Sequence, residues 1–249
     1  MFSSQERTRI RDALIAQAEK DPDITGAALA GSAARAAEDA WSDIDLVLQL
    51  RPDAREAEVV EHWSRWITDR YGVADSLDVF AGSVRYRVFL LPTSLQIDLS
   101  FWPHHQFRAT EPSFQLIFGI ANPATEPTVP DVNTAIGMGW LYALHARSAM
   151  ARGRLWQAVM MLDDLRNQLI MLLCVRFGLN PWQGREVDKL PAPVREALQA
   201  SRAPQVTGDD LERARILLTT QFLAEVAQHD RDRAAGLSGA LDVLCRSVR

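Results

Sequence analysis

Three prolines fall within residues 121 to 131, ANPATEPTVPD, and the hydrophobic pattern differs in kind on the two sides of that stretch. Proline fixes φ and lacks the N–H that a helix interior or a central strand needs, so a run this dense in proline is linker by composition. Before it, short apolar runs closed by Gly or Pro turns alternate with amphipathic stretches; after it, every periodic segment is helical. A chain patterned in this way folds as an α/β (α+β) domain followed by an all-α one. The 249 residues suffice for that split, near the size at which single cores stop growing. We expect domains at 1–121 and 131–249.

In the first domain, residues 4 to 20 place Ile10, Leu14, Ile15 and Ala18 at helical spacing behind Ser3 and Ser4 as candidate caps. Strands are expected over 24–30, 44–50, 77–81, 84–91 and 94–101, with Gly82-Ser83 and Pro92-Thr93 as turns. Helices are expected over the alanine-rich 33–40 and over 53–70, where Val59, Val60, Trp63, Trp66 and Ile67 share a face. The result is a mixed sheet of about five strands flanked by helices. Pattern fades from residue 103. Beyond the prolines, segments 132–151, 154–177, 192–201, 208–228 and 234–247 predict a helical bundle, with breaks at Gly153, Gly178 and Pro181.

Charge narrows the partners. Lys and Arg number 27 against 32 Asp and Glu, a net charge of −5, whereas a protein that neutralises a nucleic-acid backbone carries a basic excess. The expectation is therefore no nucleic acid as partner. The apolar run 169–175 lies between Arg166 and Arg176, far short of the roughly 18 residues of a membrane span. The first twenty residues have no apolar signal-peptide core, and Cys174 and Cys245 suit buried, reduced thiols rather than a disulfide framework, so a cytoplasmic location is expected. Monomer and homodimer both stay open.

The segment 29–48, LAGSAARAAEDAWSDIDLVL, carries the chemistry. A strand ends in Gly31-Ser32 before a predicted helix, whose unpaired N–H groups and partial positive charge can receive a phosphate. Glycine would let the phosphate approach the backbone. Ser32 either caps that helix or donates its hydroxyl to a phosphate oxygen, and Arg35 one turn on adds charge. Asp43 and Asp45 then stand two apart at the head of a strand, so they share one face while Ile44 and Leu46 enter the core. Two carboxylates this close repel unless a cation stands between them, and oxygen ligands suit Mg²⁺. Asp98 repeats the design, flanked by Ile97 and Leu99 in another strand. If that strand lies beside 44–50, three carboxylates meet, enough to hold two metal ions about 3.5–4 Å apart.

Gly-Ser followed by Asp-Ile-Asp and a third strand aspartate resembles the DNA polymerase β-type nucleotidyltransferase superfamily. With a helical domain behind it, the chain is most similar to the aminoglycoside and lincosamide nucleotidyltransferases. That resemblance implies a first domain that handles the nucleotide, with ATP as donor, phosphates at Gly31, Ser32 and Arg35, and two Mg²⁺ ions on Asp43, Asp45 and Asp98. A hydroxyl of a small molecule would attack the α-phosphorus and pyrophosphate would leave. The helical domain would then bind the acceptor and could supply a carboxylate base, for which Asp163 and Asp164 are candidates, with Glu111 a lesser one. Either aspartate could instead pair with Arg166.

Other readings remain. The same chemistry on a protein or RNA acceptor, or a regulatory module without turnover, would keep this fold. Trp102, Trp140, Trp156 and Trp182 are expected in the core rather than stacked on a base. His104 and His105 suit a polar loop, and Arg85 and Arg87 face triphosphate or solvent. Neither a G-x-x-x-x-G-K-[ST] loop nor an H-E-x-x-H helix occurs.

Overall fold

The structure, a computed structural model, describes residues 2–110, 113–126 and 129–246. Glu111, and Pro127 and Thr128 of the proline-rich stretch, lie outside the described residues. The chain divides into two compact units, Met1–Pro127 and Thr128–Arg249.

The first unit runs α1 (Ser4–Ala18), β1 (Ile24–Ala30), β2 (Ile44–Leu50), α2 (Glu56–Tyr71), β3 (Asp75–Ala81), β4 (Val84–Leu90), β5 (Gln96–Trp102) and β6 (Phe114–Phe118). Its sheet has the order β3-β4-β5-β2-β1-β6, with β2 and β5 parallel and every other neighbouring pair antiparallel. A mixed sheet flanked by helices is as expected, with six strands instead of about five. The extra strand, Phe114–Phe118, is a short edge strand on β1 with exposed residues at its centre. So little of it is buried that it leaves almost no period in the sequence.

Alternation along the strands sorts side chains to two faces. Ile44, Leu46 and Leu48 of β2 and Ile97, Leu99 and Phe101 of β5 face one way, onto Ile10 and Leu14 of α1 and Val60, Trp63 and Ile67 of α2. Both helices therefore cover the same face. On the other face Ala28, Val47, Val84, Trp102 and Phe107 form a smaller cluster, and at its polar margin lies Asp45. The long hairpin β3–β4 returns the chain so that β5 docks beside β2.

The second unit is helical: α3 (Val132–Ala151), α4 (Leu155–Arg176), α5 (Ala192–Ala200), α6 (Gly208–His229) and α7 (Arg231–Cys245). Its core joins Ala143, Ala146, Leu165, Leu169, Leu218, Phe222 and Val226. Small residues on α3 admit large ones from α6; a Cβ on Gly139 would come within 2.2 Å of the Phe222 ring. Trp156 and Trp182 are 71% and 44% exposed, contrary to the core placement expected for them, whereas Trp102 is buried and Trp140 packs at the edge of the helical core. No helix among the described residues is long and apolar enough to cross a membrane.

Candidate active site

Parallel pairing of β2 with β5 sets Asp45 opposite Asp98 in register, one rung from Ile44 opposite Ile97. Asp43 lies just before β2. One ligand oxygen from each of Asp43, Asp45 and Asp98 falls within 4.8 Å of the others, and all three residues are half-buried. The strands thus bring together the three carboxylates that their spacing singled out.

The electrostatics of Asp43 and Asp98 set them apart from the ion-paired acids of this unit. Among the described residues neither Asp43 nor Asp98 is ion-paired, and Asp98 Oδ1 is buried without a hydrogen-bond partner. Burial, and next the charge of Asp43, push the Asp98 carboxyl up to about 6, against the opposing effect of a hydrogen bond from Gln96. That bond is donated by the Gln96 amide to Asp98 Oδ2 at 3.2 Å, with Asp43 Oδ2 3.4 Å away. Gln96 was not singled out in the sequence, although its position two residues before Asp98 on one strand face was the available signal. Three converging carboxylates as hard oxygen donors and an orphaned buried oxygen on Asp98 fit a divalent cation such as Mg²⁺.

Gly31 has a tighter reason to be glycine than approach to a phosphate. Its φ is +60°, and a Cβ there would lie 2.0 Å from Asp45 Oδ2. The bare glycine makes room for the Asp45 carboxylate against the turn after β1.

The helix expected over 33–40 does not form. A three-residue 3₁₀ turn, Ala33–Arg35, ends at Ala36 in the left-handed region, and the chain then runs irregularly to Asp43. Alanine favours helix by tenths of a kcal/mol per residue. Against that, Glu38 is drawn to Arg7 at 3.2 Å and to Arg11 at 2.5 Å, which pulls 36–42 out of helical register. A single turn has no aligned macrodipole, so that part of the phosphate reading falls. Ser32 makes no side-chain cap bond, which leaves its hydroxyl uncommitted to capping, and Arg35 is exposed.

Arg85 and Arg87 do not face the cluster. They project from β4 to the α2 side of the sheet, where Asp78 takes both, with Glu56 on Arg85 at 2.7 Å. The Arg87 and Arg85 guanidiniums hold the Asp78 carboxyl below its usual value. Neither triphosphate nor bulk solvent is their partner. His104 and His105 are exposed, and the His104 carbonyl accepts from Gln49 and Asn122. In the helical unit, Asp163 is exposed and ion-paired to Arg166 one turn on, and Asp164 is half-buried.

No family model and no curated protein matches the chain in sequence. Among solved structures it is similar to an aminoglycoside 6-adenyltransferase from Bacillus subtilis, at 13% identity and TM-score 0.42, covering 99% of this chain and 100% of that one. It is also similar to a nucleotidyltransferase-like protein from Exiguobacterium sibiricum, at 12% identity and TM-score 0.39, covering 88% and 75% of the two chains. A third is the polymerase core of TRAMP, a RNA surveillance complex, at 17% identity and TM-score 0.30, covering 90% and 59%. What fold and site define here is an α/β unit with three carboxylates converging on one sheet face, joined in sequence to a helical unit.

Proposed function

We propose that the protein is a divalent-metal-dependent nucleotidyltransferase. It moves a nucleoside monophosphate, AMP from ATP, to a hydroxyl of a small molecule of aminoglycoside or lincosamide type. One observation carries the reading: Asp45 and Asp98 stand side by side in register, with Asp43 on the same face and the Gly31-Ser32 turn pressed against Asp45. Divalent ions, two in this reading, supply neutralisation of the triphosphate and a lower pKa for the attacking hydroxyl.

The chain's own residues do the rest. Asp43, Asp45 and Asp98 bring three half-buried carboxylates together, where they hold cations more firmly than in open water. Ser32 donates its hydroxyl to a phosphate oxygen, and the exposed Arg35 guanidinium draws the triphosphate towards the turn. The rigid β2–β5 pair keeps two of the three carboxylates in place. An acidic chain suits a polycationic acceptor.

The test is incubation with Mg²⁺, α-labelled ATP and a panel of aminoglycosides and lincosamides. Label on a drug supports the proposal, and label on protein or RNA moves the acceptor to that class. No label and no pyrophosphate release with any acceptor refutes it. Asp45→Asn should lower turnover by about 100-fold or more without unfolding the protein.

A further inference from the structure

Of the three carboxylates, only Asp43 lies outside the strand ladder. Asp45 and Asp98 are held by the β2–β5 register, whose first paired residue on β2 is Ile44. Beyond Ile44 on its C-terminal side and a long contact from the Gln96 amide at 3.4 Å, the backbone that carries Asp43 is held by the loop that precedes it, residues 36–42.

That loop is tied to α1 through one buried side chain. Arg7 is 3% exposed, on the same face of α1 as Ile10 and Leu14. Its guanidinium lies 3.2 Å from Glu38 and donates to the carbonyls of Asp39 and Ser42, the latter at 3.3 Å. The Ser42 carbonyl belongs to the peptide bond that enters Asp43. The stretch held there is itself closed: Asp39 accepts from the Trp41 amide at 2.8 Å and the Ser42 hydroxyl at 3.1 Å. Arg11 also reaches Glu38, at 2.5 Å, but bonds neither carbonyl. Both carbonyl bonds come from Nη1, while Nε meets Glu38 Oε1 as an ion pair without hydrogen-bond geometry; the planar guanidinium holds its charge and its donors in one fixed arrangement, which an ammonium cannot reproduce.

We propose that Arg7 is a positioning residue for the metal site: by pinning the loop 38–42 to α1 it sets the Asp43 carboxylate beside Asp45 and Asp98. The proposal rests on the reading of these carboxylates as cation ligands. Groups of this kind, one step behind the ligands, typically change metal affinity by about 10- to 100-fold when removed.

The experiment compares wild type, Arg7→Met, Arg7→Lys and Arg11→Met by calorimetric titration with Mn²⁺, well below the melting temperature of all four. Methionine keeps an apolar stem in the buried position. Expected are an Mn²⁺ Kd raised about 10-fold or more in Arg7→Met, incomplete rescue by Arg7→Lys, and a change under about 3-fold in Arg11→Met. Circular dichroism should show all four folded. Arg7→Met binding Mn²⁺ as wild type does, or losing no more affinity than Arg11→Met, overturns the positioning role. If Arg7→Met weakens Mn²⁺ binding while wild type transfers no nucleotide, the positioning role stands and the transferase reading falls. If wild type itself binds no Mn²⁺, the positioning role falls, and the label-transfer assay alone decides the transferase reading.

Discussion

Asp98→Asn should stabilise the metal-free protein while destroying its response to metal. The folded state lifts the Asp98 carboxyl from 3.8 to about 6, chiefly by burial and then by Asp43. Taken at face value that shift is about 3 kcal/mol; solvent in the half-buried cluster screens it, and about 1–2 kcal/mol is the expected gain. The sign follows from linkage. An acid whose folded pKa is raised contributes stability fully present below about 3.8, and that contribution is lost as pH rises through about 6. Asparagine has no proton to lose, so its advantage over wild type should be near zero below about pH 4 and complete above about pH 7. For a unit of this size the gain corresponds to about 4–7 °C in melting temperature. The assay is thermal melting in EDTA across that pH range, repeated with Mg²⁺. At a cation concentration 100-fold above its Kd, wild type gains about 2.7 kcal/mol and the order of the two proteins reverses. An Asp98→Asn protein that melts at or below wild type in EDTA at pH 8, or a gain independent of pH, would refute the account of the cluster.

Gly31→Ala places a methyl group 2.0 Å from Asp45 Oδ2 at a φ of +60°. Stability should fall by at least about 1 kcal/mol from backbone strain alone, and Mg²⁺-dependent turnover by 10-fold or more in protein that circular dichroism shows still folded. Arg87→Ala strips Asp78 of one of its two guanidiniums and should cost about 1–2 kcal/mol in urea melts at pH 7. Because Asp78 titrates below 3.8 in the folded state, the ion pair's contribution is present above that value and fades as pH falls through the lowered one. The KM for ATP should stay within about 2-fold of wild type, since Arg87 points towards α2. Asp163→Asn should change kcat by less than about 3-fold, its carboxylate being exposed and engaged by Arg166; a loss above about 10-fold would restore it as a general base.

The order of elements was written in the sequence because local backbone preference and burial period are local quantities. The strand limits 24–30 and 44–50 agree with β1 and β2, and α3 and α4 begin and end within a residue of their expected positions. Alternation alone put Asp43 and Asp45 on one face. The condition for a third carboxylate, that Asp98 lie beside that strand, was legible only as a condition. Its fulfilment depends on β5 passing over β3 and β4 in sequence to bury Ile97, Leu99 and Phe101 against α1, α2 and β2. Long-range burial of this kind has no local signature. The same reason governs three of the departures. Arg7 and Arg11 overrule the helix preference of 33–40, Asp78 and Glu56 draw Arg85 to the helix side of the sheet, and β6 exists because β1 offers it an edge. Residue type and spacing determined which carboxylates were available and how the chain is segmented; tertiary pairing decided that they meet. It also decided that Gly31 yields its space to Asp45 and that the Ser42 carbonyl, just ahead of Asp43, accepts from Arg7, because each of those contacts joins residues whose proximity is set by the packed core.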